Sequence, residues 1–129
     1  MDRQEIIKQL KAFPYDPGEY WVITGSAMAL YGIREQTHDI DLGCTARMAD
    51  ALEKDGVPYR RTPDGKRKFR YGEDIEIFEE WLCGSLETVD GFQVISPDGL
   101  IAMKQALGRE KDRRDIEMIR AFMRHTKQD

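Results

Sequence analysis

Residues 38–44, HDIDLGC, alternate polar and apolar side chains with the period of a β-strand. Ile40 and Leu42 fall on one face, while Asp39 and Asp41 share the other, roughly 6 to 7 Å apart along the strand. Two carboxylates that close repel one another, and burying either without a partner is costly. A divalent cation relieves both problems. An all-oxygen ligand set with room for water and phosphate suits Mg2+ or Mn2+. Taken alone, Asp-x-Asp also fits an exposed strand face or an Asx-turn.

A second alternating strand, Asp74 to Phe78 (DIEIF), sets Glu76 between Ile75 and Ile77, with Asp74 as the reserve choice on the same face. A third carboxylate on a neighbouring strand completes a site suited to metal-assisted, in-line phosphoryl displacement. Upstream, Tyr20 to Thr24 (YWVIT) reads as a short buried strand that ends at Gly25 and Ser26. Residues Ala27 to Tyr31 then suit a helix, and Gly32 is placed to close it. A glycine and a serine at a strand-to-helix junction offer backbone N–H groups and a hydroxyl at a helix N-terminus, which is a seat for phosphate. The same pair also fits an ordinary capping serine.

The remaining pattern predicts a helix over residues 3–12 capped by Asp2, a break at FPYDPGE, and a helix from the Thr45 cap to Asp55, closed by Gly56. A hairpin is expected over 57–72 with PDGK as its turn, then a strand over Phe92 to Ile95 entered through Asp90-Gly91. Ser96-Pro97 opens a helix whose stripe is Leu100, Met103 and Leu107. Gly108 interrupts it, and a last helix runs from about Glu110 to Arg124, with Ile116, Ile119 and Met123 at core spacing. This order predicts an α+β (α/β-like) fold, a mixed sheet flanked by helices with two helices at the C-terminal end. The 129 residues fit one domain, with a core over about 20–95 and a helical part over about 96–125.

The net charge of −4 says little about partners, but its distribution is uneven. RRTPDGKRKFR (60–70) holds six basic residues against one acidic, and EDIEIFEE (73–80) holds five acidic and none basic. Basic residues outnumber acidic ones eight to four between Lys104 and Lys127. These segments fit either anionic partners such as nucleotides and nucleic acid or a solvated hairpin and helix face. Cys44 and Cys83 match no zinc spacing, and the charged N-terminal stretch has no apolar signal core. Two reduced thiols in a cytoplasm are expected. No stretch approaches a membrane span, so no membrane association is expected.

The run GSAMALYGIREQTHDIDL, with Glu76 beyond it, resembles the nucleotidyltransferase superfamily of DNA polymerase β. Its pattern is Gly-Ser, a short helix, Asp-x-Asp on a strand, and a third acid on a later strand. The small bacterial branch, with its minimal and abortive-infection-type members, is the most similar. Its Gly-x-Arg-x-x-Thr-x-Asp-Ile-Asp-Leu run matches Gly32 to Leu42. KQALGREKDRRDIEMI is similar to a segment that follows the core there, with Lys104, Arg109, Lys111, Asp112 and Asp115 at the recurring positions.

The resemblance implies transfer of a nucleoside monophosphate from an NTP to an acceptor hydroxyl, with release of pyrophosphate. It implies that Asp39, Asp41 and Glu76 hold Mg2+ (or Mn2+) and that Gly25 and Ser26 contact the β- and γ-phosphates. Glu76 would also help activate the acceptor. Glutamate stands where aspartate is commoner, which leaves its base role less defined than its metal role. Arg34 fits a phosphate contact or a surface ion pair; Lys104 fits a phosphate contact or a lysine snorkelling beside the core. Thr37 fits a structural hydrogen bond beside the acids, and His38 a bystander. Arg109, Lys111 and Asp115 also fit a helix-to-helix salt-bridge network. The acceptor stays open among protein, RNA and small molecules. A homodimer or a partner chain would supply an acceptor site that so short a chain lacks. Two other readings remain: a catalytically silent protein of this fold serving interaction or a toxin–antitoxin pair, and a nucleic-acid-binding module using the basic hairpin.

Overall fold

The computed structural model describes residues 1–127. Helix α1 (Arg3–Ala12) starts where the Asp2 carboxylate accepts the Glu5 N–H, and it buries Ile6 and Leu10. The proline-rich break holds a single 3₁₀ turn, Pro17–Glu19, and leads into β1 (Tyr20–Ile23), all four residues of which are buried. Helix α2 (Thr24–Tyr31) follows without a connecting loop, and Gly32 closes it at φ 80°. Strand β2 (Ile40–Cys44) comes next, then α3 (Ala46–Lys54), whose cap Thr45 accepts the Met48 N–H.

The hairpin of β3 (Tyr59–Arg61) and β4 (Arg67–Tyr71) precedes β5 (Ile75–Glu79). Strands β6 (Leu86–Val89) and β7 (Phe92–Ile95) then lead to α4 (Pro97–Leu107), capped by Ser96, and α5 (Glu110–Lys127).

The seven strands form one mixed sheet in the order β3-β4-β5-β2-β1-β7-β6. Strand β2 lies inside it, antiparallel to β1 and parallel to β5, and β1 runs parallel to β7. The architecture is the expected α+β fold with two C-terminal helices. Ile40, Leu42, Cys44, Phe69, Ile75 and Ile77 point into a core shared with residues from all five helices, among them Ile6, Leu30, Leu52, Met103 and Ile119. The alternate positions of the same strands, including Asp41 and Glu76, face the other way. Among the described residues no helix is long and apolar enough to cross a membrane. Cys44 and Cys83 are free thiols.

Three expectations need correction. The first helix after β1 begins at Thr24 rather than Ala27, so Gly25 and Ser26 lie in its first turn instead of preceding it. Leu107 is 38% exposed, because α4 ends there and its stripe closes at Met103. Strand β6 was not expected: LETV has no period-2 pattern, since Glu87 and Thr88 are both exposed on a sheet edge.

One glycine shapes the open face of the sheet. A Cβ on Gly43 would stand 2.1 Å from Nε1 of Trp21 and 2.7 Å from the Trp81 carbonyl. The Trp21 indole lies across this bare position and donates to that carbonyl at 2.9 Å.

On the core side, Arg67 ties the hairpin to α3. It forms a two-pronged pair with Glu79 at 2.8 and 3.0 Å and also reaches Asp50 and Glu53. The Arg67 hydrogen bonds hold Glu79 down at about 2, against burial. Because the folded value lies below the ordinary 4.5, this stabilisation is present above the ordinary carboxylate value and is lost as pH falls through about 2. Glu79→Ala is expected to cost about 2 to 3 kcal/mol in urea unfolding at pH 7, in the range of hydrogen bonds to charged groups. The difference from wild type should shrink on acidification through that window.

Candidate active site

The junction of β1 with α2 is a sharp elbow. Thr24 adopts φ 54°, in the left-handed region that costs a side-chain-bearing residue on the order of 1 to 2 kcal/mol. Its hydroxyl donates to Oδ2 of Asp41 at 2.5 Å, which fixes the elbow against β2. Ser26, in the first turn of the helix, completes the join. Its hydroxyl donates to the Ile23 carbonyl at 2.8 Å and accepts the Asp41 N–H at 3.1 Å. Ser26 is fully buried, so its side chain serves the backbone beneath the acids and does not face the cleft.

Gly25 is covered from above. A Cβ there would meet Nη1 of Arg34 and Oγ1 of Thr37, each at 3.0 Å. The bare helix N-terminus and the Arg34 guanidinium therefore lie together, and both attract anions. Thr37 also donates to the Asp39 carbonyl at 3.3 Å, the structural role expected of it. His38 is exposed.

The acids converge through strand register. Parallel pairing sets Asp41 directly opposite Glu76, and Asp39 stands just before β2 begins. Burial pushes the Asp41 carboxyl above its ordinary 3.8; the Thr24 hydrogen bond opposes this, the Glu76 and Asp39 charges add to it, and Lys68 opposes it. Cations of β4 neutralise the other two acids. Arg70 lies 2.8 Å from Glu76 and 3.9 Å from Asp39, and Lys68 lies 3.4 Å from Glu76.

Among the described residues, no three carboxylate, imidazole or thiol side chains stand close enough to form a ready metal cluster. The donor set nevertheless fits a hard divalent cation: three carboxylates, no sulfur or imidazole, and one half-buried acid whose charge its surroundings disfavour.

Arg34 pairs with Asp115 of α5, and Asp115 also takes the Lys104 ammonium at 2.9 Å. Lys104 is 4% exposed and also faces Asp112 at 3.5 Å; Arg109 pairs with Asp112 at 2.7 Å. The Lys104 ammonium is held between α4 and α5, and it is linked to the α2 terminus through Asp115 and Arg34. Of the network expected from Arg109, Lys111 and Asp115, Asp115 joins the two helices through Lys104, Arg109 pairs locally with Asp112, and Lys111 is exposed and takes no part in these ion pairs. Sequence reasoning missed Thr24, Lys68 and Arg70. Thr24 adjoined the Gly-Ser pair, and the i, i+2 spacing of Lys68 and Arg70 in a strand was the available signal.

With this geometry in view, the protein compares with two solved structures. It is similar to the lincomycin-bound lincosamide antibiotic adenylyltransferase LnuA, with a TM-score of 0.62 and 14% identity over 95% of this chain and 98% of that one. It is likewise similar to a protein of Thermotoga maritima assigned as a nucleotidyltransferase, with a TM-score of 0.61 and 18% identity over 97% of this chain and 96% of that one. No family model and no curated protein matches the sequence. The likeness establishes that the chain has the nucleotidyltransferase fold.

The raised Asp41 carboxyl has a sign that can be checked. Its contribution to stability is full below the ordinary carboxylate value and is lost as pH rises through the folded value. At neutral pH in chelator, Asp41→Asn should therefore melt at a higher temperature than wild type, and the two should converge towards acid pH. A lower melting temperature for the variant at pH 7 would contradict this electrostatic account.

Proposed function

We propose that the protein is a metal-dependent nucleotidyltransferase that moves a nucleoside monophosphate from an NTP to an acceptor hydroxyl. The observation that carries this reading is the register of β2 with β5, which places Asp41 opposite Glu76 beside the N-terminus of α2. Asp39, Asp41 and Glu76 would hold Mg2+ or Mn2+. Such an ion, when bound, neutralises charge developing on the transferring phosphoryl group. The retention of all three acids is the reason to prefer this over a catalytically silent protein of the same fold.

The chain's own groups have distinct tasks. The N–H groups of the first turn of α2, at Gly25, would receive the terminal phosphates together with Arg34. Ser26 acts from below, holding the Asp41 backbone to the elbow. Thr24 keeps the Asp41 carboxylate oriented through its hydroxyl. Glu76 would accept the acceptor's proton, directly or through water, as the hydroxyl oxygen forms its bond to the α-phosphorus. The bond from that phosphorus to the pyrophosphate oxygen breaks, and pyrophosphate leaves. The work is positioning and charge stabilisation.

Incubating the protein with labelled NTPs and Mg2+ in a cell lysate tests the reading, with label expected on a discrete product. Asp41→Asn and Glu76→Gln should each lower transfer by on the order of 100- to 1,000-fold, the usual effect of removing a charge-stabilising group. Arg34→Ala should mainly raise the KM for the NTP. Folded wild-type protein that labels nothing with any of the four NTPs would count against catalysis.

A further inference from the structure

The acids lie in mid-sheet, and their two flanks differ. On the β1 side stands the α2 terminus with Gly25 and Arg34. On the other side, register places Arg60 opposite Lys68 and Arg70 opposite Glu76, so three cations share the open face with the acids. Together with Tyr59 they line a groove of about 310 Å3 that ends at Glu76. Arg60 is exposed on the edge strand.

Two residues beyond Glu76, on the same face, stands Phe78. The Lys68 ammonium lies 5.1 Å from its ring centroid, and Trp81 meets it edge-on with centroids 5.0 Å apart. Both rings are half-buried and line a second cavity of about 380 Å3, whose rim also carries Lys66 and Arg67, paired with Glu80 and Glu79, and Asp64. Cations interleaved with half-buried aromatic rings suit a chain of phosphates and bases. In the transferase reading above, neither the basic groove of β3 and β4 nor these two rings has a part in holding the triphosphate.

In phosphoryl transfer the attacking and leaving oxygens stand roughly in line across the transferred phosphorus. If the pyrophosphate end rests on α2, the acceptor hydroxyl must arrive from the opposite side, over β5 and β4. We infer that the acceptor is itself nucleotide-like: its phosphate sits on Arg60, Lys68 and Arg70, its base packs on Phe78 and Trp81, and its hydroxyl is presented beside Glu76. This rests on the transferase reading above and names its acceptor class. The shared chemistry belongs equally to a free nucleotide and to the 3′ end of an RNA strand.

The test is binding of the acceptor alone, without NTP. Fluorescence anisotropy is measured with a 5′-labelled single-stranded oligoribonucleotide bearing a free 3′ hydroxyl, in Mg2+, with unlabelled AMP as competitor. Saturable binding is expected. Arg60→Glu, at an exposed edge position, should weaken it about tenfold or more and lower the slope of log affinity on log salt by about one or more. Phe78→Leu should weaken it about 5- to 100-fold without changing that slope.

Full displacement by AMP at comparable concentration assigns the site to a free nucleotide; poor displacement assigns it to an RNA end. Oligonucleotide and AMP both failing to bind, or binding indifferent to both variants, overturns the inference. Labelled transfer onto a neutral or cationic small molecule that Arg60→Glu leaves unchanged overturns it too, while leaving the transferase reading intact. Acceptor binding as described without any pyrophosphate release would instead count against that reading.

Discussion

Asp41 is a carboxylate that its surroundings disfavour and that the chain nevertheless holds in place from several sides. Its backbone N–H is taken by Ser26, one of its oxygens by Thr24, and its strand is paired on both flanks by β1 and β5. Burial raises its carboxyl, and two neighbouring acids raise it further. Stability alone does not favour a carboxylate here, since a half-buried charge without a close counter-ion is unfavourable. The surrounding devices make sense together as a means of presenting one charge. They include the strained Thr24 elbow, the buried Ser26 and the cations of β4.

The C-terminal helices bear on the same point from further away. Lys104, Arg109, Asp112 and Asp115 form a largely buried network between α4 and α5, and Asp115 carries it out to Arg34. The guanidinium above Gly25 is thus anchored to the last helix, more than eighty residues along the chain from α2. Long side chains lose much entropy when fixed. An arginine held beforehand by Asp115 loses less when an anion arrives, which is the advantage of preorganisation. The buried lysine contributes by balancing Asp112 and Asp115, so that the anchor itself is not an uncompensated charge.

Much of the fold was legible because its signals are local. Period-2 alternation located β2 and β5, and caps at Asp2, Thr45 and Ser96 located three helices. The acids at 39, 41 and 76 were legible because carboxylates among isoleucines conflict with burial. What the sequence withheld were pairings set by topology. Nothing local reveals that β2 and β5 run parallel in register, so the opposition of Asp41 and Glu76 emerges only in the sheet. The direction of the Ser26 hydroxyl depended on whether the helix began before or after it. The partner of Lys104 depended on how α5 folds back. Strand β6 escaped because an exposed edge places little demand on its side chains.

The central claim is that these acids hold a metal–nucleotide, and Mn2+ binding followed by electron paramagnetic resonance tests it most directly. Free Mn2+ is measured with protein and α,β-methylene analogues of the four NTPs, which cannot be cleaved at the reacting bond. The account predicts that wild-type protein with a suitable analogue depletes the free-ion signal beyond what the analogue does alone, and that Asp41→Asn abolishes this extra depletion. Depletion equal in wild type and Asp41→Asn, or none with any analogue, would contradict it.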